Sequence, residues 1–192
     1  MDVIPQEIRE RYELRETRNA AQILAATHPA EFEEILEVLR DFRLVADDIT
    51  QAGGNKSRVA TRLDREFRRL GWREGRHDTT LKSVLKVMPY AAEGEKTPRV
   101  IETEVTSEGY KVDNVKGRLA LDVEWNAKDG NLDRDMGAYR ALYDAGVIDG
   151  GVIITRTQED LRGLATRLGV KRFDTTTTTN LVDLRINYTR VI

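Results

Sequence analysis

The chain has 192 residues, 40% hydrophobic and 33% charged, enough for one domain with its own core and short for two. It contains no cysteine and two histidines, His28 and His77. That excludes disulfides, thiolate nucleophiles and Cys-ligated metals, leaves little for a His-centred site, and points any catalytic metal to oxygen ligands, hence magnesium, manganese or calcium. The net charge of −2 hides an asymmetry: residues 1–50 carry 6 Lys/Arg against 12 Asp/Glu, residues 51–90 carry 10 against 4, a local basic patch able to meet phosphates.

No apolar run is long enough for a membrane span. The start, Met1-Asp2-Val3-Ile4-Pro5, lacks the pattern of a signal peptide, so a cytoplasmic protein is expected. Pro5 to Ala26 alternates acidic and basic residues around Ile8, Tyr12, Ala20, Ile23 and Leu24, which predicts a helix. Pro29 starts a second helix with Phe32, Ile35, Leu36, Leu39 and Phe42 on one face. Asp47 to Gly54 reads as a loop. Ser57 caps a third helix over Arg58–Leu70, with Val59, Leu63, Phe67 and Leu70 inward and Lys56, Arg58, Arg62, Arg65, Arg68 and Arg69 outward. Trp72 to His77 reads as a turn or short strand. Leu81 to Tyr90 fits either strand or helix, and Ala91 to Pro98 is a surface loop.

Strands are expected over Arg99–Thr106 and Tyr110–Val115, then a turn at Lys116-Gly117 and a strand over Arg118–Asn126. In the last, Leu119, Leu121, Val123 and Trp125 alternate with Ala120, Asp122, Glu124 and Asn126. Leu132–Ala145 is a helix with Met136, Tyr139, Leu142 and Tyr143 on its apolar side and Gly146 as its stop. Gly151–Thr155 is the kind of apolar strand buried inside a sheet, and Glu159–Leu168 is a helix with Leu161, Leu164, Ala165 and Leu168 inward. A threonine run, Thr175 to Thr179, precedes a last segment, Leu181–Ile192, with the spacing of a short helix or strand. Without a repeat or linker, residues 1–192 are expected to form a single domain with an N-terminal helical part.

Asp122, Glu124 and Asn126 leave one face of their strand, and Val123 and Trp125 the other. Two carboxylates within reach of one point bind a hard divalent cation and repel each other without it. Such a cation can hold a phosphate oxygen and acidify a bound water. Asn126 can orient that water or a phosphate oxygen, and Lys128 can add positive charge. Asp113 is the third acidic candidate. A turn at Lys116-Gly117 pairs it near Arg118–Ala120, too early to face Glu124, so a bulge, a divergence of strands or a longer turn is required.

The segment Val112-Asp113-Asn114-Val115-Lys116-Gly117-Arg118-Leu119-Ala120-Leu121-Asp122-Val123-Glu124-Trp125-Asn126-Ala127-Lys128-Asp129 resembles the catalytic region of type II restriction endonucleases of the BglII and BstYI kind, within the PD-(D/E)XK nuclease superfamily. Leu132-Asp133-Arg134-Asp135, Gly53-Gly54-Asn55-Lys56-Ser57 and Leu70-Gly71-Trp72-Arg73-Glu74 add to the likeness, which covers about residues 50 to 180. After Leu181 the chain departs from the family's Gly- and Cys-containing tail.

The resemblance implies an α/β fold: a restriction-endonuclease-like core with a central mixed β-sheet flanked by helices. It implies magnesium held by Asp113 and Glu124 with the backbone carbonyl of Trp125, manganese being able to substitute. Asn126 then positions water or phosphate, and Asp122 stands behind the matched positions. A competing match pairs Asp122 or Glu124 with Lys128 in the superfamily's lysine role. The implied activity is magnesium-dependent cleavage of double-stranded DNA at a short palindrome, often GATC-centred, leaving 5′-phosphate ends. The implied partners are a second copy of the chain, forming a homodimer, and a cognate DNA methyltransferase, in a prokaryotic cytoplasm.

The candidate DNA contacts are Asn55, Lys56, Ser57, Arg62 and Lys128 for phosphates, Arg172 for phosphate or guanine, and Thr177, Thr178, Thr179 and Asn180 as base readers. A low-specificity repair nuclease and a catalytically silent DNA-binding protein are the alternatives.

Overall fold

The computed structural model describes residues 3–50, 57–125 and 131–170. They divide into two compact units: residues 76–111, and the remainder on either side.

In the larger unit the N-terminal segment is two helices, α1 (Gln6–Arg9) and α2 (Ala20–Thr27), where the charge pattern predicted one. Arg18 and Asn19 sit in the left-handed region, at φ 54° and 57°, and break the run. The charges of the break have a use. Arg11 donates to the carbonyls of Arg40 and Phe42, and the Tyr12 hydroxyl to that of Leu39 at 2.7 Å. These groups satisfy carbonyls left over at the end of α3 (Pro29–Asp41). α3 starts with Pro29 at its first position and buries Phe32, Ile35, Leu36, Val38 and Leu39.

Asp47–Thr50 forms a short helix, α4, where a loop was expected. α5 (Arg58–Arg69) is capped as predicted, Ser57 Oγ accepting the Ala60 N–H at 3.0 Å. Its inward face holds Val59, Leu63 and Phe67. Trp72 is fully buried, edge-on to Phe67, with its Nε1 donating to Glu34 at 2.8 Å.

β1 (Arg73–Val87) takes the strand option at Trp72–His77 and at Leu81–Tyr90 and joins the two stretches. His77 therefore lies on a strand. β2 (Arg99–Lys116) runs without interruption where two strands were expected. β3 spans Leu119–Glu124, and the sheet order is β1-β2-β3-β4, with β4 at Gly150–Thr155. β2 and β3 are antiparallel and β3 and β4 parallel, so the sheet is mixed. β4 ends this order, half-buried rather than enclosed within the sheet.

β3 is buried because both its faces are covered. Leu119, Leu121 and Val123 pack with α2, α3 and α5, and Ala120 packs on the other side with Tyr139 and Leu142 of α6 (Asn131–Asp144). Each such side chain contributes about 1.5–3 kcal/mol by leaving water. Neighbouring glycines let helices approach β4 from opposite sides. A Cβ on Gly150 would meet Leu24 at 2.6 Å, and one on Gly151 the Tyr139 ring at 2.3 Å. Of the two tyrosines on α6, Tyr139 is core and Tyr143 is exposed. α7 (Gln158–Arg167) packs Leu161 and Ala165 against Ile49; Leu168, expected inward, is exposed.

The smaller unit carries β1 from Arg76, β2 up to Lys111 and a 3₁₀ turn at Ala91–Glu93. Thr80 meets Thr106 and Lys82 meets Glu102 across the pair, so the strands run antiparallel. Leu81, Leu85, Val87, Ile101 and Val105 are exposed on it. No helix among the described residues is long and apolar enough to cross a membrane.

Candidate active site

The turn between β2 and β3 is Gly117-Arg118, with Gly117 at φ 55° and Lys116 paired to Leu119. This is not the expected Lys116-Gly117 turn, and the change moves the partner of Asp113. The register runs Lys116↔Leu119, Val115↔Ala120, Asn114↔Leu121, and its next step sets Asp113 opposite Asp122. The β2–β3 ladder stops there, although β3 continues to Glu124 along β4. At the stopping point the Asp113 N–H donates to a side chain, Asp122 Oδ1, at 2.7 Å. The divergence that the sequence demanded is thus made by the Asp122 carboxylate. Asn114, one residue on, is buried and donates through Nδ2 to Asp64 of α5 at 2.8 Å, which fixes β2 from the opposite side.

Asp122 is buried, and its Oδ2 accepts the Tyr139 hydroxyl at 2.7 Å; that hydroxyl also lies 3.0 Å from the Val152 carbonyl of β4. Burial pushes the Asp122 carboxyl up to about 6, against the lowering effect of the Asp113 amide and the Tyr139 hydroxyl; the Asp113 and Asp135 charges add to the rise. Burial raises Tyr139 well above the usual phenol range, so it stays a neutral donor.

Glu124 ends β3, its carbonyl held by Thr155 Oγ1 at 2.9 Å. Its carboxyl is pushed up to about 7, by burial first, then by the charge of Asp135 and a hydrogen bond with it, and by Asp113. Arg134 works the other way, 3.6 Å from Glu124 and 2.9 Å from Asp135. Asp135 Oδ2 is buried with no hydrogen-bond partner among the described residues. Four acidic side chains therefore gather at the end of β3, coupled by mutual repulsion.

This donor set fits a hard divalent cation: its oxygens are crowded and short of positive charge. Among the described residues no three acidic or histidine side chains converge as a ready-made metal cage.

The sequence did not single out Asp135, Arg134 or the Tyr139 hydroxyl as site residues. Asp135 and Tyr139 are one helical turn apart, a signal that an acidic face pointing at the sheet could have supplied.

The strand ends at Glu124, and Trp125, expected within it, begins a turn. Trp125 is half-buried against the N-terminal helices and α7. Asn126 and Lys128 lie outside the described residues, as do Asn55, Lys56, Arg172, Thr177, Thr178, Thr179 and Asn180.

Ser57 and Arg62 are described, and both are engaged within the fold. The Ser57 hydroxyl caps α5; Arg62 pairs with Asp48, donates to the Arg43 carbonyl at 2.9 Å and covers the Phe42 ring at 4.8 Å. The rest of the basic face is also paired: Arg58 with Asp48, Arg65 and Arg69 with Glu66, Arg68 with Asp64. His28, at the start of α3, lies 3.0 Å from Asp149, away from the carboxylates.

A family model described as restriction endonuclease BglII/BglIII matches residues 12–190. No curated protein matches the chain. The family match runs from before α2 through the acidic end of β3, on a mixed sheet flanked by helices. The chain belongs to the BglII/BglIII family of restriction endonucleases and is a nuclease that acts on double-stranded DNA.

Proposed function

We propose that this nuclease is a magnesium-dependent type II enzyme that cuts both strands of a short palindromic site, with GATC as the expected centre and 5′-phosphate ends as products. The observation that carries the reading is the hydrogen bond from the Asp113 amide to Asp122, at the point where the two strands part. It favours Asp113 and Asp122 as the pair that holds the cation. Glu124, two residues on along the same face, then takes the proton of the attacking water. The sequence-based alternative gives the cation to Asp113 and Glu124 with the Trp125 carbonyl and leaves Asp122 behind them. Magnesium, with manganese able to substitute, would lower the pKa of water and stabilise charge on phosphate.

Burial and the charges of Asp135 and Asp113 raise the proton affinity of Glu124, which suits a group that accepts a proton. Arg134 holds Glu124 and Asp135 in place while their charges compete. Asn126 orients water or phosphate, with Lys128 beside it. Asn55, Lys56 and the exposed Arg65 and Arg69 meet backbone phosphates, while Ser57 and Arg62 shape the helix that presents them. Arg172, Thr177, Thr178, Thr179 and Asn180 read base edges. A two-fold site and one cluster per chain call for a homodimer. A cognate methyltransferase would protect the host's own sites in a prokaryotic cytoplasm.

Single alanine variants at positions 113, 122, 124 and 126 test the assignment. The first three should lose cleavage while keeping DNA binding, and Asn126→Ala should only slow it. Normal cleavage by Asp122→Ala would return the metal-holding role to Glu124.

A further inference from the structure

We propose that Tyr139 is a positioning residue for the carboxylate pair: its hydroxyl holds Asp122 from α6 and thereby sets where Asp113 stands. The inference rests on the proposed Asp113–Asp122 site.

The chain of contacts is short. Tyr139 lies on α6, and its hydroxyl reaches Asp122 Oδ2 at 2.7 Å and the Val152 carbonyl at 3.0 Å. The other oxygen of the same carboxylate accepts the Asp113 N–H at 2.7 Å. Asp122 is thus held at both oxygens, by a helix on one side and by β2 on the other. A carboxylate held at one oxygen can rotate about its last bond; held at both, it cannot. The Asp113 N–H meets β3 through the Asp122 carboxylate at the step where the paired register ends, so the orientation of that carboxylate bears on where Asp113 stands.

The fold makes room for this contact. Gly151 lies beneath the Tyr139 ring, so close that a Cβ there would sit 2.3 to 2.8 Å from three ring atoms. A side chain at position 151 would lift the ring and its hydroxyl off the sheet. Tyr143, one turn further along α6, is exposed and makes no comparable contact. The buried hydroxyl is also more than packing requires: phenylalanine would fill the same volume against Leu142, Ile148 and Ala120.

Tyr139→Phe keeps the ring and removes only the tie. Outer partners of metal-binding groups typically account for 10–100-fold in metal affinity or activity. The variant should therefore bind Mn2+ about tenfold more weakly in a calorimetric titration of the DNA-free protein. It should show a lower kcat at nearly unchanged KM for DNA, and move the Asp113 amide resonance with faster hydrogen exchange at that amide. Tyr143→Phe should match wild type throughout. Wild-type Mn2+ affinity and an unmoved Asp113 amide in Tyr139→Phe would overturn the inference. Asp113→Ala and Asp122→Ala separate this from a failure of the site itself. If they abolish Mn2+ binding while Tyr139→Phe does not, the site stands and the positioning role falls; if they bind Mn2+ normally, the site reading falls first.

Discussion

The Asp113 amide donates to the Asp122 carboxylate at 2.7 Å where β2 leaves β3. One side chain therefore ends a ladder and gathers the site at the same position. The arrangement carries a cost, because Asp122 and Glu124 share the end of a buried strand with Asp113 and Asp135, and their proton affinities are raised to about 6 and about 7.

That cost predicts a pH dependence. A carboxyl whose folded pKa is raised stabilises the fold fully below its ordinary range, and this contribution is lost as pH rises through the folded value. For Glu124 the window runs from 4.5 to about 7. In EDTA, Glu124→Gln should gain on wild type as pH rises across that window, by about 1–2 kcal/mol once solvent screening of a half-buried group is allowed for. Urea unfolding at pH 5 and pH 8 checks it. Parallel behaviour of the two proteins would show that Glu124 is not strained. Added magnesium should close the gap, since a bound cation favours the ionised form.

Arg62 and Arg65 sit on the same basic helix face and should behave differently. Arg62 pairs with Asp48, whose side chain is 0% exposed, whereas the Arg65 side chain is 70% exposed. Arg62→Ala should destabilise the fold by about 3 kcal/mol, because the buried Asp48 carboxylate loses its nearer charged partner and keeps Arg58 at 3.9 Å. Arg65→Ala should leave stability unchanged and weaken DNA binding for all sequences, with a shallower salt dependence. Denaturant midpoints and binding at two salt concentrations separate the two.

Gly151→Ala should cost about 1–3 kcal/mol through overpacking, because the clash is with an aromatic ring wedged on the sheet. Gly150→Ala should cost less, since the nearest atom is the end of the Leu24 side chain, which can rotate aside. The order of the two melting temperatures is the check; an inverted order would mean that the Tyr139 ring yields more easily than Leu24.

Thr178→Ala should reduce preference for the target site by about 1–3 kcal/mol while leaving non-specific affinity unchanged. Binding to a cleaved-and-cloned target and to a scrambled duplex reads the difference. An equal fall on both would remove the threonine run from the reading elements.

Much of the architecture was legible because burial imposes a period. Leu119, Leu121 and Val123 alternate and all three are buried; Ser57 caps α5 and Pro29 opens α3, where local chemistry predicts both. The losses occurred where tertiary partners override a local pattern. Alternating charge over Pro5–Ala26 looks helical, but Arg11 and Tyr12 leave the helix to serve the end of α3. Gly109 falls in the gap left between the two expected strands, Arg99–Thr106 and Tyr110–Val115. It lies within one, at a point where a Cβ would meet the His77 carbonyl at 1.8 Å, so glycine marks a close approach. The site was legible as residue types and not as a geometry. A turn placed one residue early sets Asp113 opposite Ala120, and the observed turn sets it opposite Asp122. Nor could spacing within one strand reveal Asp135 and Tyr139, which arrive from a helix across the sheet face.

The most direct measurement is digestion of a large, fully sequenced, unmethylated double-stranded DNA with magnesium and, in parallel, with EDTA, followed by sequencing of the ends. Discrete fragments with 5′-phosphate ends at one palindromic sequence, seen with magnesium and absent in EDTA, are the predicted result. Undiminished cutting in EDTA, or a smear without a common end sequence, would contradict the account.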